Sequence, residues 1–352
     1  MLSREHIAEI LRSVIHPETG ENIVDGGFVE SLAVDDSLIN IVLRFRKAKD
    51  PFASRIERTV RSLLYDAAPV AEINITVAAH QPAAKPESVQ KTFTGGIRNI
   101  IAVASGKGGV GKSTVAANLA ASLRDKGFRV GLLDADIYGP SQPKMFGCEG
   151  AAPEAERIDG EDAILPVEVQ GIELMSIGFF VQPSDAMLWR GPMATSALRQ
   201  LIHQTRWGEL DFLLIDLPPG TGDVHLSLVS ELKVGGAVIV STPQQVAVAD
   251  VVRGVSLFRN PSVNIPVLGV VENMAWFTPA ELPENRYYIF GREGAARYAR
   301  ENGLELLGQI PLIQSVAESG DNGTPIVSMD SEVAHYYSQV ADRIVEKCVK
   351  KG

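Results

Sequence analysis

Within VASGKGGVGKST, Val103–Thr114, two lysines stand five residues apart in one glycine-rich stretch. Gly106–Ser113 fits G-x-x-x-x-G-K-[ST], the spacing of a loop that holds phosphate. Its glycines let successive backbone N–H groups turn inward onto phosphate oxygens, and the helix that follows adds the positive end of its dipole. Lys112 is placed to reach the β- and γ-phosphates, and the Ser113 hydroxyl to ligate Mg²⁺. Gly106, Lys107, Gly108, Gly109, Val110, Gly111, Lys112, Ser113 and Thr114 are therefore the predicted phosphate-binding residues. One lysine suffices for that task, which leaves Lys107 to be explained.

Two acidic stretches could complete the chemistry. FLLIDLPPGTGD ends an apolar run on Asp216, where a carboxylate can hold the magnesium through water. A helix N-cap is the competing role for Asp216, but Pro218 and Pro219 argue against a helix starting there. LLDADIYGPS puts Asp134 and Asp136 at the end of another apolar run. Asp136 is the candidate for orienting or deprotonating an attacking water, and Asp134 is the alternative. A carboxylate that merely shapes a turn stays open for either.

Loops of this kind need buried strands to present them. Asn99–Ser105, Arg129–Asp136, Ile172–Ile177, Asp211–Gly220, Gly236–Thr242, Pro266–Met274 and Leu304–Pro311 are continuous apolar runs, the pattern of strands covered on both faces. Helical patterns fit between them at Lys112–Lys126, Gly191–Gln204, Val224–Leu232, Val246–Arg259 and Arg292–Asn302. The alternation predicts an α/β domain over 99–352, a mostly parallel sheet with helices on both faces and ligands at the carboxyl ends of its strands. Ahead of it, Ile7, Ile10, Leu11, Val14 and Ile15 recur at helical spacing, as do Ala53, Ile56, Val60, Leu63 and Leu64. Ile39, Ile41, Leu43 and Phe45 alternate as a half-buried strand does, and so do Ile73, Ile75 and Val77. This predicts a small α/β domain over 1–80, joined by a linker over 81–98 rich in Pro, Gln, Lys and small residues.

Composition narrows the function classes. The 352 residues are 45% hydrophobic and 22% charged with a net charge of −10, an ordinary folded chain ill suited to gripping nucleic-acid backbones. The sequence lacks a run of eighteen apolar residues, and acidic residues interrupt the N-terminal apolar pattern, so the expectation is a cytoplasmic protein without a membrane segment. Cys148 and Cys348 are too few and too far apart for a disulfide scaffold or a Cys-x-x-Cys motif.

The second lysine after the first glycine, together with DADIYGPS and DLPPGTGD, resembles the deviant Walker-A ATPases, the MinD, ParA and nitrogenase-iron-protein group. Within that group the sequence is most similar to the Mrp/ApbC family of iron-sulfur cluster carriers, from about Asn99 to the C-terminus. Trp189–Met193 (WRGPM) and Val271–Met274 (VENM) also resemble segments of that family. HPETGENIVDGGFVESL resembles the small domain fused ahead of such carriers, with His16 where an aspartate is usual.

The resemblance implies a P-loop NTPase that hydrolyses ATP with Mg²⁺ as a homodimer and passes iron-sulfur clusters to apoproteins or works with assembly factors. Lys107 matches the signature lysine that crosses the dimer to the phosphates held by the other subunit. Asn273 matches the asparagine that recognises adenine, and the loop around Pro311 would close over the base. The sequence departs from the family at Trp276–Gly291, WFTPAELPENRYYIFG, where a Cys-x-x-Cys from each subunit would hold a shared cluster. Three readings follow: a cluster bound through Cys148 and another residue, an assembly ATPase that docks a partner through Glu281–Tyr288 without holding the cluster, or a positioning ATPase like ParA or MinD. The last needs a basic face or a basic amphipathic helix. The final helical stripe, Val333, Tyr337, Val340, Ile344 and Cys348, is flanked by Glu332, Asp342 and Glu346, so docking against the sheet is its simpler role.

Overall fold

A computed structural model describes residues 4–35, 38–45, 50–68, 72–78, 96–158, 161–180, 191–220, 228–229 and 231–349. The chain divides into two units, 1–90 and 91–352.

In the first unit α1 (Arg4–Arg12), β1 (Val29–Asp35), β2 (Leu38–Arg44), α2 (Ala53–Ala67) and β3 (Glu72–Ala78) follow in order. The three strands form one sheet in chain order, β1 antiparallel and β3 parallel to β2. Alternation along β2 sends Ile39, Ile41 and Leu43 inward, where they meet Ile7 and Leu11 of α1 and Ile56, Val60 and Leu64 of α2. β1 is a strand the apolar pattern does not announce, because its inward residues Leu32 and Val34 are only half buried. His16 is buried and stacked on Phe28, ring centroids 4.7 Å apart. Its Nδ1 accepts from the Glu18 N–H at 3.3 Å, so Nε2 carries the proton it gives to Asp50 Oδ2 at 3.2 Å. The position where an aspartate is usual therefore holds a core histidine with its hydrogen bonds made.

The segment read as a linker, 81–98, lies outside the described residues up to 95; its last two residues, Ile97 and Arg98, already belong to β4 (Ile97–Ala104). From there the second unit runs α3 (Lys112–Asp125), β5 (Val130–Asp134), α4 (Gln142–Met145), β6 (Ala155–Ile158), β7 (Glu161–Ile164), β8 (Val167–Val169), β9 (Ile172–Ser176), α5 (Gly191–Gln204), β10 (Leu210–Asp216) and β11 (Gly236–Ser241). It ends α6 (Gln245–Arg259), β12 (Val267–Phe277), α7 (Gly294–Glu301), β13 (Leu306–Leu312), α8 (Gln314–Asp321) and α9 (Ser331–Val349). Eight strands make one sheet in the order β13-β12-β11-β4-β10-β5-β9-β8, parallel throughout except for β8 at its edge. The fold is the expected mostly parallel α/β sheet. β6 and β7 pair separately as a hairpin, and the helix read at Val224–Leu232 falls mostly outside the described residues.

Both faces of the sheet are buried. Along β4, Ile100, Ala102 and Ala104 pack with α5, α6 and α7, while Ile101 and Val103 pack with α3 and α9. α3 is enclosed nearly all round, Val115 to Leu123 being buried, and its alanines 116, 117, 120 and 121 let the strands approach closely. α9 lays Val333, Tyr337, Val340 and Ile344 into the same core, so the C-terminal apolar stripe is spent on docking. α7 starts two residues later than its apolar pattern suggests, because Glu293 before it adopts a left-handed φ of 52°. No helix among the described residues is long and apolar enough to cross a membrane.

Candidate nucleotide site

Parallel pairing sets the site. β4 is central, with β10 on one side and β11 on the other, and Asp216 at the end of β10 is in register with Val103 on β4 and Asp134 on β5. The chain leaving β4 turns through 105–111 and enters α3 at Lys112, directly above these carboxylates. Helix α3 begins without a side-chain cap, so the amides of its first turn face outward for a ligand. Two glycines are obligatory here. A Cβ on Gly106 would fall 2.2 Å from the Asp250 carbonyl oxygen, and Gly111 has φ +81° with Asn273 Nδ2 2.2 Å from where its Cβ would be.

Lys112 is nearly buried and makes an ion pair with Asp216 Oδ1, and it also donates to Ser113 Oγ at 3.1 Å. The expected cation-binding residues, Ser113 and Asp216, thus sit around one ammonium. Lys107 is instead exposed on the loop, its carbonyl held by Ser105 Oγ at 3.0 Å. Gly108 and Gly109 are exposed beside it and Val110 is buried beneath.

The two candidate water-activating carboxylates prove unlike. Asp134 is fully buried; Oδ2 accepts from the N–H groups of Ser141 at 3.0 Å and Gln142 at 3.1 Å and from Ser176 Oγ at 3.0 Å. Oδ1 takes the Asp136 N–H at 3.2 Å. Burial first, and the Asp216 carboxylate second, push the Asp134 carboxyl up to about 7. Both Asp134 oxygens are taken up by its own chain, so of the two roles left open for it, its contacts support the turn-shaping one. Asp136 is half exposed, its carboxyl raised mainly by burial while Lys112 pulls it down.

Asn273, nearly buried within β12, donates from Nδ2 to the Val110 carbonyl at 2.9 Å. It borders a cavity of about 110 Å³ walled by Gly111, Thr114, Pro311, Val316 and Tyr337. Pro311 belongs to β13 rather than to a loop beyond it, so it forms a fixed wall. The preceding residue, Glu272, was not among the candidates: fully buried, it accepts from the N–H groups of Ala295 at 2.8 Å and Ala296 at 3.0 Å, at the start of α7. Its other oxygen takes Gln309 Nε2 at 2.7 Å. Glu272→Ala is expected to cost roughly 3 kcal/mol, read as a lower urea-unfolding midpoint, because three donors lose a charged acceptor. An acidic residue inside an apolar strand is the sequence signal for such a brace.

The cysteine-free segment after β12 closes on itself. Phe277 and Tyr287 exchange backbone hydrogen bonds at 2.8 Å, and Arg286 lies over the Trp276 ring at 4.5 Å. Leu282, Tyr287 and Ile289 are exposed on it. Cys148 is half buried, and desolvation pushes its thiol up to about 11, so it stays protonated at neutral pH. Among the described residues no group of three or more His, Cys, Asp or Glu is arranged to hold a metal ion. Trp189 and Arg190 lie outside the described residues, as do the side chains of Gly191–Met193.

Residues 96–345 match the family model for the NUBPL iron-transfer P-loop NTPase. The chain belongs to that family. Residues 4–77 match a second model, the iron-sulfur cluster assembly protein domain. The chain is 39% identical to an iron-sulfur cluster carrier protein of Synechocystis over 334 residues, 95% of this chain and 94% of the relative. It is 52% identical to a carrier of the same name from Aquifex aeolicus over 250 residues, 70% of this chain and 67% of that one. Among solved structures, the nucleotide-binding protein of Archaeoglobus fulgidus in complex with ADP is 38% identical, with a TM-score of 0.58 over 70% of this chain and 92% of that one. The second unit of this NUBPL-family chain is therefore a P-loop NTPase domain, and the first matches the iron-sulfur cluster assembly protein model.

Proposed function

We propose that this chain is a cytoplasmic, Mg²⁺-dependent ATPase that works as a homodimer in the transfer of iron-sulfur clusters to apoproteins. The observation that carries the ATPase reading is the convergence of Lys112, Ser113 and Asp216 at the mouth of an uncapped helix behind a glycine-rich loop. These residues suit a magnesium nucleotide: Ser113 supplies a hydroxyl, Asp216 a buried carboxylate, and the loop a row of N–H donors.

In this reading the amides of 106–114 and Lys112 hold the phosphates and bear the negative charge that grows on them. Asn273 and Pro311 flank the adenine. Asp136, half exposed and with its carboxyl raised, orients the attacking water and takes its proton. Ser113 and, through water, Asp216 would hold Mg²⁺, which would supply positive charge to the phosphate oxygens. Lys107 is exposed, so it can reach across to the phosphates of a second subunit, where a late-arriving cation acts as an arginine finger does.

Cluster transfer is supported by the names of the full-length relatives and by the paired modules. The cluster is cargo. The chain's own thiols do not fit as its holder: Cys148 and Cys348 stand far apart in sequence without a Cys-x-x-Cys, and each is partly buried against the core. The thiolates that hold the cluster then come from a donor or acceptor protein, with this ATPase driving the hand-over. An anaerobic assay of a cluster-loaded donor and an apo-ferredoxin tests this directly. Transfer is expected to accelerate with the chain and MgATP, while the chain incubated with iron and sulfide alone, then desalted, keeps no visible absorbance. Unchanged transfer kinetics would overturn the cargo reading.

A further inference from the structure

Gln142 is fully buried at the start of α4, eight residues beyond Asp134. Its Nε2 donates to Asp216 Oδ2 at 2.8 Å and to the Ser113 carbonyl oxygen at 3.0 Å. Both partners are acceptors, so chemistry fixes which end of the amide is nitrogen. One side chain therefore ties together the two residues assigned to magnesium, Ser113 by its backbone and Asp216 by its carboxylate. Asp216 is consequently gripped on both oxygens, Lys112 on Oδ1 and Gln142 on Oδ2.

Gln142 is itself located by the molecule. Asp134 accepts its backbone N–H at 3.1 Å, and the same carboxylate oxygen holds Ser141 N–H and Ser176 Oγ. The buried Asp134 thus anchors the turn that delivers Gln142 to Asp216, a use for a carboxylate that does not face the ligand. The remaining amide atom, Gln142 Oε1, is buried and meets no donor among the described residues. A buried carbonyl oxygen without a donor is costly unless something else meets it.

We propose that Gln142 is a positioning residue that sets the spacing of Ser113 and Asp216, and so the affinity for Mg²⁺ in the nucleotide complex. It also couples the segment carrying Asp136 to the metal site, because the chain from Asp136 to Gln142 is pinned at both ends by Asp134. This inference rests on the reading of Ser113 and Asp216 as cation ligands. Outer-shell partners of metal ligands commonly carry 10–100-fold of metal affinity.

The test is a Mg²⁺ titration of fluorescent mant-ADP binding in the full chain, wild type against Gln142→Met, which keeps length and volume but cannot donate. Mant-ADP affinity in EDTA is expected to stay within about twofold of wild type, while half-saturation for Mg²⁺ rises at least about tenfold. Gln142→Asn, with the amide but one methylene too short, is expected to behave like Gln142→Met. A folded variant of either kind with wild-type Mg²⁺ half-saturation would overturn the proposal, as would equal losses of mant-ADP affinity with and without Mg²⁺. Failure of both variants to fold would assign Gln142 to the core instead and overturn it too. A wild type whose mant-ADP binding ignores Mg²⁺ would remove the cation-ligand reading itself. A wild type that responds to Mg²⁺ while hydrolysing no ATP would remove the ATPase reading alone and leave this test standing.

Discussion

Lys112→Ala is expected to reduce ATP turnover by about 10³-fold or more, measured as phosphate release at saturating MgATP. The loop motif assigns the Lys112 ammonium to the phosphates, and donors aimed at charge developing in a transition state are each worth about 10²–10³ in rate. A second effect comes with it. Asp216 is fully buried and would lose its ion-pair partner, which costs about 3–5 kcal/mol when one half of a buried pair is deleted. Gln142 still donates to the other oxygen, which softens the loss toward the lower figure. Urea unfolding followed by circular dichroism separates the two effects. Lys112→Ala that is folded and hydrolyses ATP normally would sink the site assignment.

Lys107→Ala is expected to behave differently. The side chain is exposed and, among the described residues, makes no hydrogen bond or ion pair, so folding and mant-ADP binding should be nearly unchanged. Turnover should fall by about 10³–10⁵-fold, the range carried by a cation inserted in trans, and ATP-linked dimerisation should be lost with it. Sedimentation velocity with a slowly hydrolysed ATP analogue reads the second effect. A variant that dimerises and turns over as wild type does would return Lys107 to its own loop.

Much of this site is legible as sequence because its parts are local. The loop 106–113 carries its chemistry in consecutive residues, and the strands that flank it are buried on both faces, which leaves continuous apolar runs such as Phe212–Ile215. What escapes is what depends on pairing across the sheet. Asp216 and Asp134 are register partners on neighbouring strands, yet Asp216 meets Lys112 and Gln142 while Asp134 is held by Ser141, Gln142 and Ser176, and spacing along the chain carries no trace of that difference. Gln142 reads as an unremarkable polar residue at a helix start, and its importance comes from partners 29 and 74 residues away. β6, β7 and β8 are short and mixed, AERI, EDAI and VEV, so their apolar content is too low to mark a strand. Pro311 illustrates a smaller miss: the family resemblance put it in a loop, yet it lies in β13, an edge strand that tolerates proline.

In the proposed function, a second copy of the chain completes each ATP site. Mixing Lys112→Ala with Lys107→Ala tests it most directly. Each variant alone should be inactive, but a mixed dimer pairs the intact Lys112 of one subunit with the intact Lys107 of its partner at one of its two sites. Random pairing would make half the dimers mixed and restore about a quarter of wild-type phosphate release; because Lys107→Ala weakens ATP-linked pairing, the expected result is turnover well above either variant alone, up to about that quarter. Subunits that exchange on mixing and yet recover no turnover would contradict the account.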